Sequence, residues 1–304
     1  MKKFVSAALA LCLAGAMTAC AGGTTSDSTV DESSSTASVA ADSTAETGAA
    51  EETSSPETAG EVMSYDEYAA IEVQEGDQVP VTIQAYVQDK QILYTDSETG
   101  KTSTSLYLQD QDGAYFAYGV ECSAEDYDKL TQGVCVQVSG YKAVWSGEYE
   151  IMDGTFTFVD GADTYVAEPV DVTELLGTDE LESHQNQYVS FTGMTVVDST
   201  YQDADGNEAT APYLYGWDNS GSEGDDVYFT VSYNGAEYSF LVESDLRGGD
   251  SDVYKAAEAL QVGQTINCEG FLYWYEGANP HITSITVAES VSYTHLTLPT
   301  NSRV

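Results

Sequence analysis

The stretch LTQGVCVQVSGYKAVWSGEYEI, Leu130 to Ile151, recurs in altered form as LQVGQTINCEGFLYWYEGANPHI, Leu260 to Ile282. Each copy has a leucine, a glycine three residues later and a second glycine after six more residues, followed by an aromatic residue and a tryptophan. Similarity of one part of a chain to another indicates that the same structural unit occurs twice. The residues around each copy show what that unit is.

The residues before the first copy have the pattern of β-strands. Hydrophobic and polar residues alternate from Val81 to Val87 and again around Tyr107, which predicts two half-buried strands. Asp112-Gly113 predicts a tight hairpin with positive backbone angles, followed by a third strand. Ser123 predicts the start of a short helix that ends at Gly133. Two more strands follow in the repeated stretch.

This order of three strands, a helix and two strands resembles the OB-fold, a small five-stranded barrel. The second unit repeats the order, with Asn234-Gly235 at its hairpin and DSDVYKAAEALQVG as its helix. The sequence therefore predicts a mainly β protein with two tandem OB-like five-stranded barrels, each with one short helix between strands 3 and 4. We place the first barrel in residues 63–162, and a connector with the second barrel in residues 163–290.

Four segments carry a narrower resemblance: DEYAAIEVQEGDQVPVTIQAYVQ, YLQDQDGAYFAYGV, DYDKLTQGVCVQVSGYKAVWSGEYEI and LESHQNQYVSFTGM. They resemble acidic, OB-like surface lipoproteins of gut Firmicutes, a family without an assigned activity. The resemblance covers residues 64–196 well and the rest loosely. It implies the barrel fold and a position on the cell surface, and it transfers no catalytic residue.

The first 20 residues, MKKFVSAALALCLAGAMTAC, have two lysines, a short apolar run and small residues before a cysteine. They resemble a bacterial lipoprotein signal peptide with a loose lipobox at residues 17–20, which implies cleavage before Cys20 and a lipid on its sulfur. The alternative is an ordinary signal peptide with an incidental cysteine. We expect an exported protein, lipid-anchored to the outer face of the cytoplasmic membrane. Residues 21–62 lack aromatic residues and predict a disordered tether rich in Ser, Thr, Ala and Glu.

The last 14 residues, VSYTHLTLPTNSRV, contain no acidic residue, unlike the chain before them. Residues 291–300 resemble the translation of a transposase sequencing adapter, so we interpret residues 291–304 as an artefactual tail. The alternative is a genuine terminal strand. Whether the natural chain continues past residue 290 is left open, and His295 carries no functional argument.

Residues 63–290 hold 42 acidic residues and six basic ones. Proteins bind nucleic-acid phosphates mainly through lysine and arginine, so this balance argues against nucleic acid as a partner. The expected partners are the membrane, through the lipid anchor, and an extracellular polysaccharide or an exported protein.

Three cysteines remain after residue 20: Cys122, Cys135 and Cys268. An odd number with no CxxC spacing favours reduced thiols packed in the core, and a disulfide between Cys122 and Cys135 is the alternative. Residues 63–290 contain only His184 and His281 as histidines and no nucleophile or phosphate-binding motif. We therefore predict that the protein is not an enzyme.

The segment YQDADGNEAT offers oxygen ligands for calcium at Asp203, Asp205, Asn207 and Glu208. It lacks the distant bidentate glutamate of an EF-hand, and a solvated polar insertion explains it as well. We predict weak or no specific calcium binding and no other cofactor.

The 22 tyrosines are the most suggestive feature. Tyr86 and Tyr107 occupy the polar positions in the alternation of their strands, so their side chains should face outward. Further candidate ligand-binding rings flank the acidic loop and follow the last glycine: Tyr213, Tyr215, Trp217, Tyr273 and Tyr275. Aromatic rings beside carboxylates suit sugars, although tyrosines also cover the cores of small barrels. For Trp145 and Trp274, at equivalent places in the repeat, we expect a shared structural role.

These observations predict a cell-surface lipoprotein that acts as a noncatalytic binding module for an extracellular glycan or cell-wall component. One alternative is a protein-interaction or scaffold subunit of an exported enzyme or transporter. A second alternative is binding of single-stranded nucleic acid by the OB-like barrels.

Overall fold

A computed structural model of the protein describes residues 60–288. The predictions for Cys20, for most of the tether and for the tail at residues 291–304 lie outside the described residues. Within them the chain is mainly β and forms two closed five-stranded barrels in tandem, so the predicted fold class is confirmed. Among residues 60–288, no helix is both long enough and apolar enough to cross a membrane.

Barrel 1 follows a short N-terminal helix, α1 (Tyr65–Ala69). Its strands are β1 (Val79–Lys90), β3 (Thr102–Gln109), β4 (Ala114–Glu121), β5 (Cys135–Trp145) and β6 (Glu148–Phe158), and a two-residue strand β2 (Tyr94–Thr95) pairs with β3. β1 pairs antiparallel with both β3 and β5. A parallel pairing of β4 with β6 closes the barrel.

Barrel 2 has the same connectivity. Its strands are β8 (Tyr188–Val197), β12 (Val227–Tyr233), β13 (Ala236–Val242), β14 (Thr265–Phe271) and β15 (His281–Val287). β8 pairs antiparallel with β12 and β14, and β13 pairs parallel with β15. Before the barrel lie β7 (Val170–Asp171) and two 3₁₀ turns, Thr173–Leu175 and Asp179–His184.

The loop between the first and second strands of barrel 2 is long. It holds the hairpin of β9 (Ser199–Gln202) with β10 (Glu208–Ala211), and then β11 (Leu214–Tyr215), which pairs with β12. The loop between the fourth and fifth strands of this barrel is also long, residues 272–280, whereas the same connection in barrel 1 is only Ser146-Gly147.

Each barrel has a short helix between its third and fourth strands, α2 (Ala124–Lys129) and α3 (Asp252–Glu258). The hydroxyl of Ser123 accepts a hydrogen bond from the Asp126 amide and so caps α2. The expectation that this helix ends at Gly133 is wrong, because α2 ends four residues earlier. Gly133 instead has a φ of 87° in the loop that leads into β5, and Gly263 has a φ of 88° in the matching loop before β14.

The second glycine of the repeat allows the last two strands to approach closely. A Cβ on Gly140 would lie 2.7 Å from the carbonyl oxygen of Met152, and one on Gly270 would overlap the backbone of His281. The register of the strand pair shifts at both glycines, so each marks a bulge that bends the fourth strand over the fifth. This shared geometry accounts for the repeated glycine.

The two hairpin predictions have different outcomes. Asn234 and Gly235 have φ of 50° and 81°, the positive angles of a tight turn between β12 and β13. Gly113 does not have a positive φ, so that expectation is wrong for the first hairpin. A glycine is needed there because the ring of Tyr65 occupies the space that a Cβ would fill.

Alternate residues of the strands fill each barrel, for example Ile83, Val136 and Ile151 in barrel 1 and Phe191, Phe229 and Phe240 in barrel 2. The three cysteines in the described chain, Cys122, Cys135 and Cys268, are buried free thiols, and no disulfide joins Cys122 to Cys135.

A third hydrophobic cluster joins the two barrels. It consists of Tyr107 and Phe116 from barrel 1 and Leu246 and Phe271 from barrel 2. Polar contacts surround it. Arg247 forms an ion pair with Asp89, and the Ile92 amide donates a hydrogen bond to the Asp245 carbonyl at 2.8 Å. Glu148 accepts hydrogen bonds from the Trp274 amide at 2.9 Å and from Asn186 at 2.6 Å. Buried apolar rings with paired polar groups around them fix the barrels against each other.

Candidate binding groove between the barrels

A groove of about 750 Å³ lies where the barrels meet. Seven aromatic side chains line it: Phe116, Tyr118, Trp145, Trp217, Tyr228, Tyr273 and Tyr275. We call it the aromatic groove. Its volume falls within the range of about 300–1,000 Å³ that is usual for small-molecule sites.

The aromatic groove lies on a defined face of barrel 2. Tyr228 and Leu241, which are paired across β12 and β13, contribute from the second and third strands. Trp217 comes from the loop before the second strand, and Tyr273 and Tyr275 come from the loop between the fourth and fifth strands. These strands and loops form the face on which OB-folds bind oligosaccharides and oligonucleotides.

Barrel 1 supplies the opposite wall: Phe116 and Tyr118 lie within β4, and Trp145 is the last residue of β5. The ring of Trp145 lies 5.2 Å from that of Tyr275, centroid to centroid, so this aromatic pair spans the two barrels. The Glu276 amide donates to the Ser146 carbonyl at 2.7 Å and holds the loops together.

Four rings of the groove are largely open to solvent. Trp217 is 76% exposed, Tyr118 52%, Trp145 49% and Tyr275 47%. Several exposed aromatic rings that share one groove are a usual mark of a binding site, since exposed apolar surface costs free energy in the unbound protein. The rings provide flat apolar faces for a ligand.

The floor of the groove is polar. The ring of Tyr273 stacks on that of His281 with centroids 4.4 Å apart, and His281 Nδ1 lies 2.8 Å from the Tyr107 hydroxyl and 3.1 Å from Glu243 Oε2. Glu243 Oε1 accepts a hydrogen bond of 2.7 Å from Gln91. Burial raises the pKa of Glu243, but the neighbouring His281 and the hydrogen bonds outweigh burial and hold this pKa below its ordinary value.

Other groups at the groove resist ionisation or carry negative charge. Burial, followed by the charges of Asp226 and Glu243, raises the pKa of Tyr228 to about 12. Burial also raises the pKa of Tyr273. Asp226 accepts hydrogen bonds of 2.8 Å from the amide and hydroxyl of Ser244. Among the described residues that line the groove there is no lysine or arginine.

Three of the seven rings expected from the sequence as ligand contacts are brought together in this groove: Trp217, Tyr273 and Tyr275. Tyr213 and Tyr215 lie outside it. Both are half-buried against the core of barrel 2, and the Tyr215 hydroxyl donates to Glu258 at 2.6 Å.

Tyr86 and Tyr107 also lie outside the lining of the groove. Tyr86 is half-buried and packs on Tyr165 with centroids 5.4 Å apart. The expectation of an exposed Tyr107 is wrong: its side chain does leave barrel 1, but it is completely buried against Phe271 of barrel 2. Strand alternation predicts which side of a barrel a residue occupies, and a second domain can still cover that side.

Trp145 and Trp274 do not share the role expected from their equivalent places in the repeat. Trp145 is half exposed in the groove, whereas Trp274 packs partly buried against the core of barrel 2, beside Gly147. The difference arises because the loop at Trp274 is long and folds back over its own barrel.

Tyr228 and Glu243 were missed from the sequence. Tyr228 alternates with the core residues Val227 and Phe229, the signal used for Tyr107, so the same rule could have found it. Glu243 continues the outward alternation of Ser239 and Leu241 along β13, so the same rule gives its side of the sheet. That Gln91 of barrel 1 covers it depends on the packing of one barrel on the other.

The candidate calcium ligands form a hairpin turn. Asp203 Oδ1 accepts hydrogen bonds from the amides of Asp205 and Asn207 at 3.0 and 2.8 Å, so it stabilises the turn between β9 and β10. Within residues 60–288, no three His, Cys, Asp or Glu side chains are placed to hold a metal ion together. Weak calcium binding by Asp203, Asp205, Asn207 and Glu208 stays a prediction.

No protein-family model matches the sequence, and no curated protein matches it. Solved structures similar to the chain include the p204 HINb domain, with a TM-score of 0.32, 11% identity and coverage of 70% of this chain and 100% of the other. Another is the Ifi202 HINa domain in complex with 20-bp dsDNA, with a TM-score of 0.31, 10% identity and coverage of 70% and 97%.

A third is a replication protein A heterotrimer bound to ssDNA, with a TM-score of 0.28, 14% identity and coverage of 73% of this chain. The chain spans about half of that protein's chain, 52%. Since these neighbours include DNA-bound proteins, the expectation that nucleic acid is not a partner is contradicted, and we withdraw it. TM-scores this low assign no ligand to this chain.

Proposed function

We propose that this protein is a noncatalytic binding module, exported and held at the cell surface by a lipid on Cys20, that binds a glycan in the aromatic groove. The observation that carries the proposal is the position of the groove. Exposed rings from both barrels converge on the strands and loops of barrel 2 where OB-folds take their ligands.

The chemistry of the groove suits a sugar chain. The C–H faces of pyranose rings stack on flat aromatic surfaces such as Trp145, Trp217 and Tyr275. Sugar hydroxyls can donate hydrogen bonds to the carboxylates of Asp226, Glu243 and Glu276, which accept only. A groove fixed by inter-barrel contacts also loses little conformational entropy on binding.

A glycan array followed by isothermal titration calorimetry of each positive glycan would test this proposal. We expect dissociation constants in the micromolar to millimolar range. Trp217→Ala should weaken binding about tenfold or more, because this ring is 76% exposed and supports no part of the core.

Tyr94→Ala is the matched control, since Tyr94 is 57% exposed on β2 and does not line the groove. It should leave binding unchanged. A broad array without a positive glycan, or equal losses in Trp217→Ala and Tyr94→Ala, would contradict glycan binding in the groove.

The OB architecture favours a second candidate, single-stranded nucleic acid. In such complexes bases stack on exposed aromatic side chains, at roughly 1–3 kcal/mol per base, and strands 2 and 3 with the adjoining loops form the site. The same rings, Trp145, Trp217 and Tyr275, would serve as the stacking platform.

The two candidates differ in their dependence on salt. Binding of an oligonucleotide should weaken steeply as salt rises, in proportion to the number of neutralised phosphates, whereas binding of a neutral glycan should change little. Fluorescence anisotropy with labelled oligo-dT at about 0.05 and 0.2 M salt, together with Trp217→Ala, measures this difference. Tight oligonucleotide binding that Trp217→Ala abolishes would favour the second candidate.

A further inference from the structure

The aromatic groove has a marked charge imbalance. Of the described residues that line it, three are carboxylates, Asp226, Glu243 and Glu276, and only His281 can become a cation. Even with His281 protonated, the groove keeps a net negative charge. Its walls are aromatic, so this charge is poorly screened compared with a carboxylate on an open surface.

One carboxylate oxygen of Glu243, Oε2, is free to accept a hydrogen bond from a ligand. The Glu243 side chain is only 17% exposed, and none of the residues 60–288 donates a hydrogen bond to Oε2. His281 Nδ1 lies 3.1 Å from Oε2, but the same nitrogen lies 2.8 Å from the Tyr107 hydroxyl. Although burial raises the pKa of Glu243, His281 and the hydrogen bond from Gln91 hold this pKa below its ordinary value, so the side chain is a carboxylate. Its Oε2 is therefore placed to accept a charge-assisted hydrogen bond from an ammonium group in the groove.

The aromatic walls favour the same kind of ligand. An ammonium group within about 6 Å of a ring centroid is attracted to the face of Trp or Tyr, by about 0.5–2 kcal/mol. The pair of Trp145 and Tyr275 at 5.2 Å, with Trp217 beside the same space, presents several such faces.

We propose that the ligand of the aromatic groove carries an organic cation, and that the bound glycan is therefore an amino sugar with free amines. The ammonium group lies against the rings within the field of Glu243, while the pyranose faces stack on the exposed tryptophans. This inference rests on the proposed function, and it names the class of glycan.

The test compares two hexasaccharides that differ only in acylation, β-1,4-linked glucosamine and β-1,4-linked N-acetylglucosamine. Calorimetry with the full chain should give at least about tenfold tighter binding of the free-amine oligomer. Glu243→Gln keeps the shape and the acceptor for Gln91, and it should remove most of this preference. Circular dichroism and the melting temperature check that the variant is folded.

The chain has a net charge of −42, so a cationic oligomer is also attracted nonspecifically. Glu237→Gln is the control for this attraction, because Glu237 is exposed on β13 and does not line the groove. It should retain the preference, and the preference should persist at about 0.5 M salt, where the Debye length is only a few ångströms. Should Glu243→Gln fail to fold, Glu276→Gln, at an exposed position on the rim, takes its place.

The possible outcomes separate failure of the cationic ligand from failure of glycan binding. Equal binding of the two hexasaccharides, or binding of other neutral glycans only, overturns the cationic ligand and leaves glycan binding intact. A preference that Glu237→Gln reduces as much as Glu243→Gln, or that vanishes at high salt, also overturns it. Failure of every glycan contradicts the proposed function itself.

Discussion

The ring of Tyr107 in barrel 1 stacks on the ring of Phe271 in barrel 2, with centroids 4.2 Å apart and planes 10° apart. Tyr107 is fully buried and its hydroxyl lies 2.8 Å from His281 Nδ1. This stack is the centre of the inter-barrel cluster and lies directly behind the floor of the groove. It therefore links the stability of the interface to the geometry of the site.

Tyr107→Ala should lower the free energy of unfolding by about 3–5 kcal/mol, the usual cost of removing a large buried ring. Tyr107→Phe keeps the stack and loses only the hydroxyl contact with His281, so about 1–2 kcal/mol is expected. Urea denaturation followed by tryptophan fluorescence measures both. A loss below 1 kcal/mol in Tyr107→Ala would show that the interface contributes little.

Gly140→Ala should be severely destabilising, by at least about 3 kcal/mol, because the new Cβ would lie 2.7 Å from the Met152 carbonyl oxygen and the backbone must shift. Gly248→Ala is the matched control, since no atom lies closer than 3.9 Å to its Cβ position. Thermal unfolding of the two variants checks the difference. Equal melting temperatures would contradict the close approach of β5 and β6.

Lys142 anchors the N-terminal helix. Its ammonium donates hydrogen bonds to the carbonyls of Tyr68 at 2.9 Å and Ile71 at 2.8 Å, and burial lowers its pKa to about 8. Lys142→Met should leave the Ile71 carbonyl without a donor and the Tyr68 carbonyl with only backbone donors, at a cost of about 1–3 kcal/mol, and should speed hydrogen exchange in α1.

Lys129→Met is the control for that variant, because Lys129 is exposed and its ion pairs with Glu125 and Asp126 lie at the surface. Its effect should stay within about 0.5 kcal/mol. Unchanged exchange in α1 on Lys142→Met would show that the helix docks without the lysine.

Glu150 makes stability depend on pH. Its side chain on β6 is 3% exposed, and burial, with a smaller contribution from Glu75, raises its pKa from 4.5 to about 7. The folded state therefore holds a proton that the unfolded state releases between these values. This bound proton contributes about 3 kcal/mol to the free energy of unfolding. The contribution is fully present below pH 4.5 and is lost as pH rises through 7.

Urea denaturation between about pH 4.5 and 7.5 should accordingly show stability falling as pH rises. Glu150→Gln should flatten part of this slope, and the exposed Glu237→Gln should not. Glu148, whose pKa burial also raises, contributes in the same direction and leaves a residual slope. Parallel profiles for wild type and Glu150→Gln would contradict a protonated Glu150.

The barrels could be predicted from the sequence because their signals are local. Alternation from Val81 to Val87, the Asn234-Gly235 turn and the repeated glycines Gly140 and Gly270 each report the backbone around them. The predicted helix end at Gly133 is wrong because the left-handed backbone of Gly133 belongs to the loop between α2 and β5, and α2 already ends at Lys129. A glycine marks a backbone angle, and it does not say which element needs that angle.

The groove could be predicted only in part. Trp217, Tyr273 and Tyr275 were identified because they cluster along the chain, in the two long loops of barrel 2. Trp145 joins the same groove from barrel 1, and Gln91 of barrel 1 covers Glu243; no local pattern reports these contacts. The burial of Tyr107 has the same origin.

The aromatic pair of Trp145 and Tyr275 takes one member from each copy of the repeat. Either barrel on its own would present only part of the wall. The groove is therefore a property of the tandem arrangement, and neither copy alone has it.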